Sequence, residues 1–192
     1  MTSRLFKEAA AAAIVLLSLN SVAQAENDAC TTATLKGTYG TKIHAQALGI
    51  LTGTAPNQVF HPYAARGVVD GVALQTFDGA GAGTQKDFVM LDGARTPGSP
   101  PDFESNEMLS YTMNADCTGE LRITFPSGNL ITSRFVVVDQ GNEMFGVTSA
   151  QHNAGGPPAL DLTPCDKGCD LAIQTSTHSV RVGEGRGHEH ER

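Results

Sequence analysis

Hydrophobic and polar residues along most of this chain alternate with a period of two, the period of a strand with one face in a core and the other in water. In the first such segment Leu35, Tyr39, Ile43 and Ala45 fall on one side, and Lys36, Lys42, His44 and Gln46 on the other. Gly37 and Gly40 within it predict a bend or a close backbone approach. Similar segments cover 68–77, 83–91, 107–115, 120–125, 130–139, 143–149 and about 171–182. Turn residues separate many of them, as in Asp78-Gly79-Ala80-Gly81, Asp116-Cys117-Thr118-Gly119, Ser127-Gly128-Asn129 and Gln140-Gly141-Asn142. No long helical period appears. Eight strands in hairpin succession predict an all-β fold: an eight-stranded antiparallel up-and-down barrel, with an open sandwich as the alternative.

Three stretches do not read as strands. Residues 49–65 contain Pro56 and Pro62, residues 94–105 contain Pro97, Pro100 and Pro101, and residues 154–168 are rich in glycine and proline. All three are expected to be long loops, the places where function concentrates. The polar tail 183–192 is expected to be disordered.

The N-terminus changes the picture of where the domain works. Arg4 and Lys7 precede an apolar run over 9–19, followed by Ala23-Gln24-Ala25. This is the layout of a cleavable export signal, with the mature chain starting near Glu26. The apolar run is about 11 residues, and a spanning helix needs about 20. No membrane anchor is therefore expected after cleavage. Asn27-Asp28-Ala29 before Cys30 lacks the pattern of a lipid-attachment site. The reading divides the chain into a signal (1–25), a barrel domain (26–182) and a tail (183–192). The full chain of 192 residues has a formal charge of -7. An acidic domain without a basic stripe excludes nucleic acid as a partner, because counterion release needs clustered Lys and Arg.

Export makes disulfides the expected state of Cys30, Cys117, Cys165 and Cys169. Four cysteines allow three pairings. Proximity of the last two in one loop favours Cys30–Cys117 with Cys165–Cys169. A zinc site lacks a second pair of ligands at suitable spacing.

Leu35-Lys36-Gly37-Thr38-Tyr39-Gly40 after an early cysteine resembles the opening of a group of exported bacterial barrels. Phe77-Asp78-Gly79-Ala80-Gly81 and Tyr111 followed by Asn114-Ala115-Asp116-Cys117-Thr118-Gly119 resemble two further marks of that group. The chain is similar, from Cys30 to Ser149, to the allene oxide cyclase barrel-like proteins within the calycin-type architecture. The resemblance implies the barrel and a bacterial origin. It carries over no catalytic residue, since no position matches a cyclase signature.

No nucleophile elbow, phosphate loop, zinc-protease helix or dinucleotide fingerprint is present. Asp78-Gly79-Ala80-Gly81 lacks the regularly spaced oxygens of a calcium loop and reads as a turn. His188 and His190 flank Glu189 in the tail, where nothing fixes a metal's geometry; His44, His61, His152 and His178 are scattered. Arg134 shares its alternation with Val136 and Val138, and Asp70 shares its own with Val68, Val72 and Leu74. If those apolar faces point inward, both charges are interior and need partners. Tyr39, Tyr111, Met113 and Phe125 are candidate lining for an apolar pocket, completed by Arg134 and Asp70. The sequence names no cofactor, no metal site and no oligomeric state. The leading functional expectation is binding of a small apolar or amphipathic ligand. The alternatives are a cyclase or isomerase and a non-catalytic structural or interaction module.

Overall fold

The structure, a computed structural model, describes residues 29–95 and 99–183. The signal (1–25) and the tail residues His188, Glu189 and His190 lie outside the described residues. Alternation along the chain becomes nine strands: β1 (Gly37–Thr52), β2 (Val59–Phe77), β3 (Ala82–Leu91), β4 (Ala94–Arg95), β5 (Glu104–Met113), β6 (Thr118–Thr124), β7 (Leu130–Val138), β8 (Glu143–Asn153) and β9 (Cys169–Arg181). Every pairing is antiparallel, and β9 pairs back onto β1. Eight strands thus form a ring in the order β1-β2-β3-β5-β6-β7-β8-β9, with β4 appended to β3. The expected all-β, eight-stranded up-and-down arrangement is the observed one.

Up-and-down order sends the connections alternately to two ends. At one end, the base, lie the short turns after β2, β5 and β7. Asp78 Oδ1 accepts from the N–H groups of Ala80 (2.7 Å) and Ala82 (3.0 Å). Those donors hold its carboxyl below the usual range. Gly79 and Gly81 supply the positive φ this turn needs. The base is sealed by the short 3-10 segment Thr32–Leu35, which buries Leu35 among Tyr39, Phe77, Leu109, Tyr111, Leu121, Phe135, Val137 and Met144. Phe77 meets Tyr39 and Tyr111 edge-on, at centroid distances of 5.5 and 5.1 Å. Arg181 donates to the carbonyls of Thr34 (2.9 Å), Gly141 (2.9 Å) and Lys36, fastening this seal to β9. Cys30 is bonded to Cys117 and Cys165 to Cys169, the pairing favoured by proximity.

At the other end, the mouth, lie the longer connections. Here the expectation of a loop over 49–65 is corrected: β1 runs to Thr52 and β2 starts at Val59. Pairing of β2 with β3 begins only at Val69, so Pro62 sits in an extension whose only strand partner is β1, and its carbonyl accepts from the Leu160 N–H at 2.8 Å. Proline is tolerated there because no ladder donor is required of its free edge. Residues 94–105 are likewise not all loop, since they contain β4 and the first residues of β5. Residues 154–168 do form a loop, packed through Ala159 and Cys165 against Ile50 and Leu171. His61 holds that loop: Nδ1 lies 2.7 Å from Asp161 and 2.9 Å from Thr163 Oγ1, and Nε2 lies 2.9 Å from Thr52 Oγ1.

Candidate functional site

Tyr39 and Tyr111 belong to the packed base, with hydroxyls already donated to the carbonyls of Gly141 and Thr32. Met113 and Phe125 pack against the same cluster. The expectation that Arg134 and Asp70 are interior charges is corrected. Both project from the outer wall, with side chains 65% and 63% exposed. Arg134 pairs with Glu120 at 2.9 Å, and Asp70 with His44 at 2.8 Å. The reason is strand phase. The buried face of β2 is set by Ala73, Gln75 and Phe77, and that of β7 by Ser133, Phe135 and Val137. Val68, Val72, Val136 and Val138 are exposed, so apolar residues stand on both faces and do not identify the inside.

What the inside holds is a belt of polar side chains above the base. The Thr41 hydroxyl (β1) lies 2.9 Å from Ser179 (β9) and donates to Gln75 Oε1 (β2) at 3.0 Å. Gln75 Nε2 donates to Gln85 Oε1 (β3) at 2.7 Å, and Gln85 Nε2 donates to Asp87 Oδ2 at 3.2 Å. All five residues are buried. Their bonds satisfy groups whose burial would otherwise be costly. The belt crosses four adjacent strands and ends at a carboxyl.

Beyond that end, on β5, stands Glu107. It is fully buried, and neither of its carboxyl oxygens has a hydrogen-bond partner among the described residues. Oxygens of Asp87, Glu104 and Glu107 all lie within 4.8 Å of one another. A β-bulge brings this trio together. Gln85 opposes Glu107 and Asp87 opposes Glu104, so two steps along β3 match three along β5. Without the extra residue, positions 104 and 107 would face opposite sides of the sheet. Asn106 takes up the irregularity at φ 73°, a conformation asparagine tolerates well. Burial, then the charge of Asp87, pushes the Glu107 carboxyl up to about 8. Burial, then the charge of Glu104, pushes Asp87 up to about 6, against the Gln85 hydrogen bond and the positive charge of Arg95. Burial thus disfavours charge on both carboxyls of this coupled pair, and more strongly on Glu107.

Above the belt the inward positions are small or half-buried. Ala45 and Ala73 are buried, whereas Ile43, Val69, Val89 and Thr177 remain partly open. The wall also has a seam. Pairing between β8 and β9 jumps from Gly146–Thr177 to His152–Asp170. The Thr148 N–H there is met by the Thr175 hydroxyl at 2.6 Å. Two outer concavities flank this seam: one of about 480 Å³ lined by Phe145, Val147 and Thr177, and one of about 250 Å³ beside His44 and Gln174.

The four described histidines each meet a carboxylate. His44 meets Asp70, His61 meets Asp161, His152 meets Asp170 and His178 meets Glu143. Two of these pairs, His44–Asp70 and His152–Asp170, are direct cross-strand partners. The other site residues left unidentified by the pocket expectation are Gln75, Gln85, Asp87, Glu104 and Glu107. One signal was present: Glu107 shares its alternation with Leu109, Tyr111 and Met113. No family model, curated protein or solved structure matches this chain.

Proposed function

We propose that this is an exported barrel that binds a small amphipathic molecule in its mouth half, with the ligand's polar end on the Thr41–Gln75–Gln85 belt. The observation that carries this reading is the division of the interior: a sealed base, a hydrogen-bonded polar floor, and above it buried Ala45 and Ala73 beside partly open Ile43, Val69 and Val89. Pockets of this kind bury an apolar body and orient it with a few fixed polar groups. Both disulfides and the signal-like N-terminus support export. Native mass spectrometry of the mature protein, purified from its producer under oxidising conditions with chelator, tests the proposal. A reproducible extra mass lost on denaturation supports it. A clean protein mass, together with no thermal shift across a panel of amphipathic compounds, overturns it.

A second reading, a cyclase- or isomerase-type enzyme, draws on Glu107 and Asp87. Burial leaves one carboxyl able to give a proton while its neighbour can take one. This reading predicts substrate turnover that Glu107→Gln abolishes while the fold persists. Turnover unchanged in that variant would remove it.

A further inference from the structure

We propose that Asp87, Glu104 and Glu107 form a binding site for one calcium ion inside the barrel. Each offers a carboxylate oxygen, and the three oxygens lie within 4.8 Å of one another. Calcium binds oxygen at about 2.3–2.6 Å, so ligands on opposite sides of the ion stand up to about 5 Å apart. The trio therefore fits one coordination sphere. Magnesium demands near-octahedral order and gives up its waters reluctantly, so a closed cluster of carboxylates suits it less well. The donors are all hard oxygens, without sulfur or imidazole, which points away from zinc and copper.

The second observation is Glu107 itself. It is fully buried, aims its carboxyl into the cluster, and finds no donor for either oxygen among the described residues. Its neighbour Asp87 already receives the last donor of the belt, the Gln85 amide. A divalent cation supplies what the belt lacks at this end, a positive partner for clustered buried oxygens. The half-buried Glu104 gives the site its opening, and the bulge at Asn106 is the backbone feature that turns Glu104 and Glu107 to the same side. Arg95 on β4 is the nearby cation; it stacks over Phe88, 4.3 Å from the ring centroid, and donates to the carbonyls of Pro100 and Asp102. Both of those bonds come from Nη2. Nη1 is buried without a partner among the described residues and its charge acts on Asp87, so Arg95 is the cation with which calcium competes at this end.

Calcium occupancy and proton sharing are exclusive uses of this trio, so one experiment decides between them. Chelator-treated, oxidised mature protein is titrated with calcium chloride, and in parallel with magnesium chloride, by calorimetry and thermal unfolding. The expected result is one calcium per chain, with a dissociation constant of about 10⁻⁵–10⁻³ M and magnesium at least about tenfold weaker. At calcium about 100-fold above that constant, the folded-to-unfolded ratio rises about 100-fold. Glu107→Gln and, at the half-exposed position, Glu104→Gln should each weaken calcium binding at least about tenfold. No saturable heat and no thermal shift at about 10 mM calcium would overturn the site. So would unchanged calcium affinity in both folded variants. Because no organic ligand is present, failure here leaves the mouth-binding proposal to its own test, which is run in chelator.

Discussion

Replacing Glu107 with glutamine should change how stability responds to pH more than it changes stability itself. In the metal-free protein the Glu107 carboxyl is pushed from its ordinary 4.5 to about 8 by burial and by Asp87. Between those values the folded chain holds a proton that the unfolded chain has released. Stability must therefore fall as pH rises through this window, and the loss is complete above the folded value. A shift of that size corresponds to at most roughly 5 kcal/mol, and relaxation or water reaching the carboxyl lowers it to about 2–3 kcal/mol. For a domain of this length that is about 5–10 °C in Tm. Glutamine has nearly the same shape and carries no charge, so it keeps the packing while removing the titration. The assay is thermal unfolding in chelator from about pH 5 to about pH 9. Wild type should lose stability along this series, Glu107→Gln should show a flatter profile, and the variant should be the more stable at about pH 9. Parallel profiles, or a variant that is less stable at the alkaline end, would refute the reasoning.

Other perturbations follow from the same structure. Arg181→Ala leaves the carbonyls of Thr34, Lys36 and Gly141 without their charged donor; denaturant unfolding should register a loss of about 2–4 kcal/mol. Gly119→Ala would bring a methyl group within 2.2 Å of the Phe135 ring and 2.4 Å of the Thr112 carbonyl; it should cost about 1–3 kcal/mol by overpacking, measured the same way. Replacing both Cys30 and Cys117 with serine opens a link across 87 residues of sequence; the chain-entropy model gives a loss of about 4–5 kcal/mol. Hydrogen exchange should find faster opening in the seam amides 147–151 than in 130–138, where β7 is paired on both sides.

The ring was legible because the turns are explicit. Asp78-Gly79-Ala80-Gly81 and the turn carrying Cys117 mark chain reversals, and the alternation between them fits strands of the lengths found. The interior chemistry was harder to read because polarity did not follow the usual rule. Gln75, Gln85, Asp87 and Glu107 are inside, while Val68, Val72, Val136 and Val147 are outside. The face with more valines is therefore not the inner one, and the condition that would have put Asp70 and Arg134 inside is not met. In β2 and β7, Phe77 and Phe135 mark the buried face, but Phe60 in β2 and Phe145 in β8 are exposed, so an aromatic ring does not identify the inside either. The bulge that gathers Glu104 and Glu107 leaves only Asn106 as a trace, and an asparagine between glutamates does not reveal its own backbone angle.

The unequal ends divide the chain's information into two kinds. Base turns of four residues after β2, β5 and β7 set which residues oppose one another, so a length change there would shift a strand's entire face. Connections at the mouth, such as 53–58 and 154–168, span gaps that tolerate more variation. Descendants of this chain could thus lengthen, shorten or exchange segments at one pole. The opposite pole would stay under selection as the template for folding, so one end could vary without renegotiating the architecture.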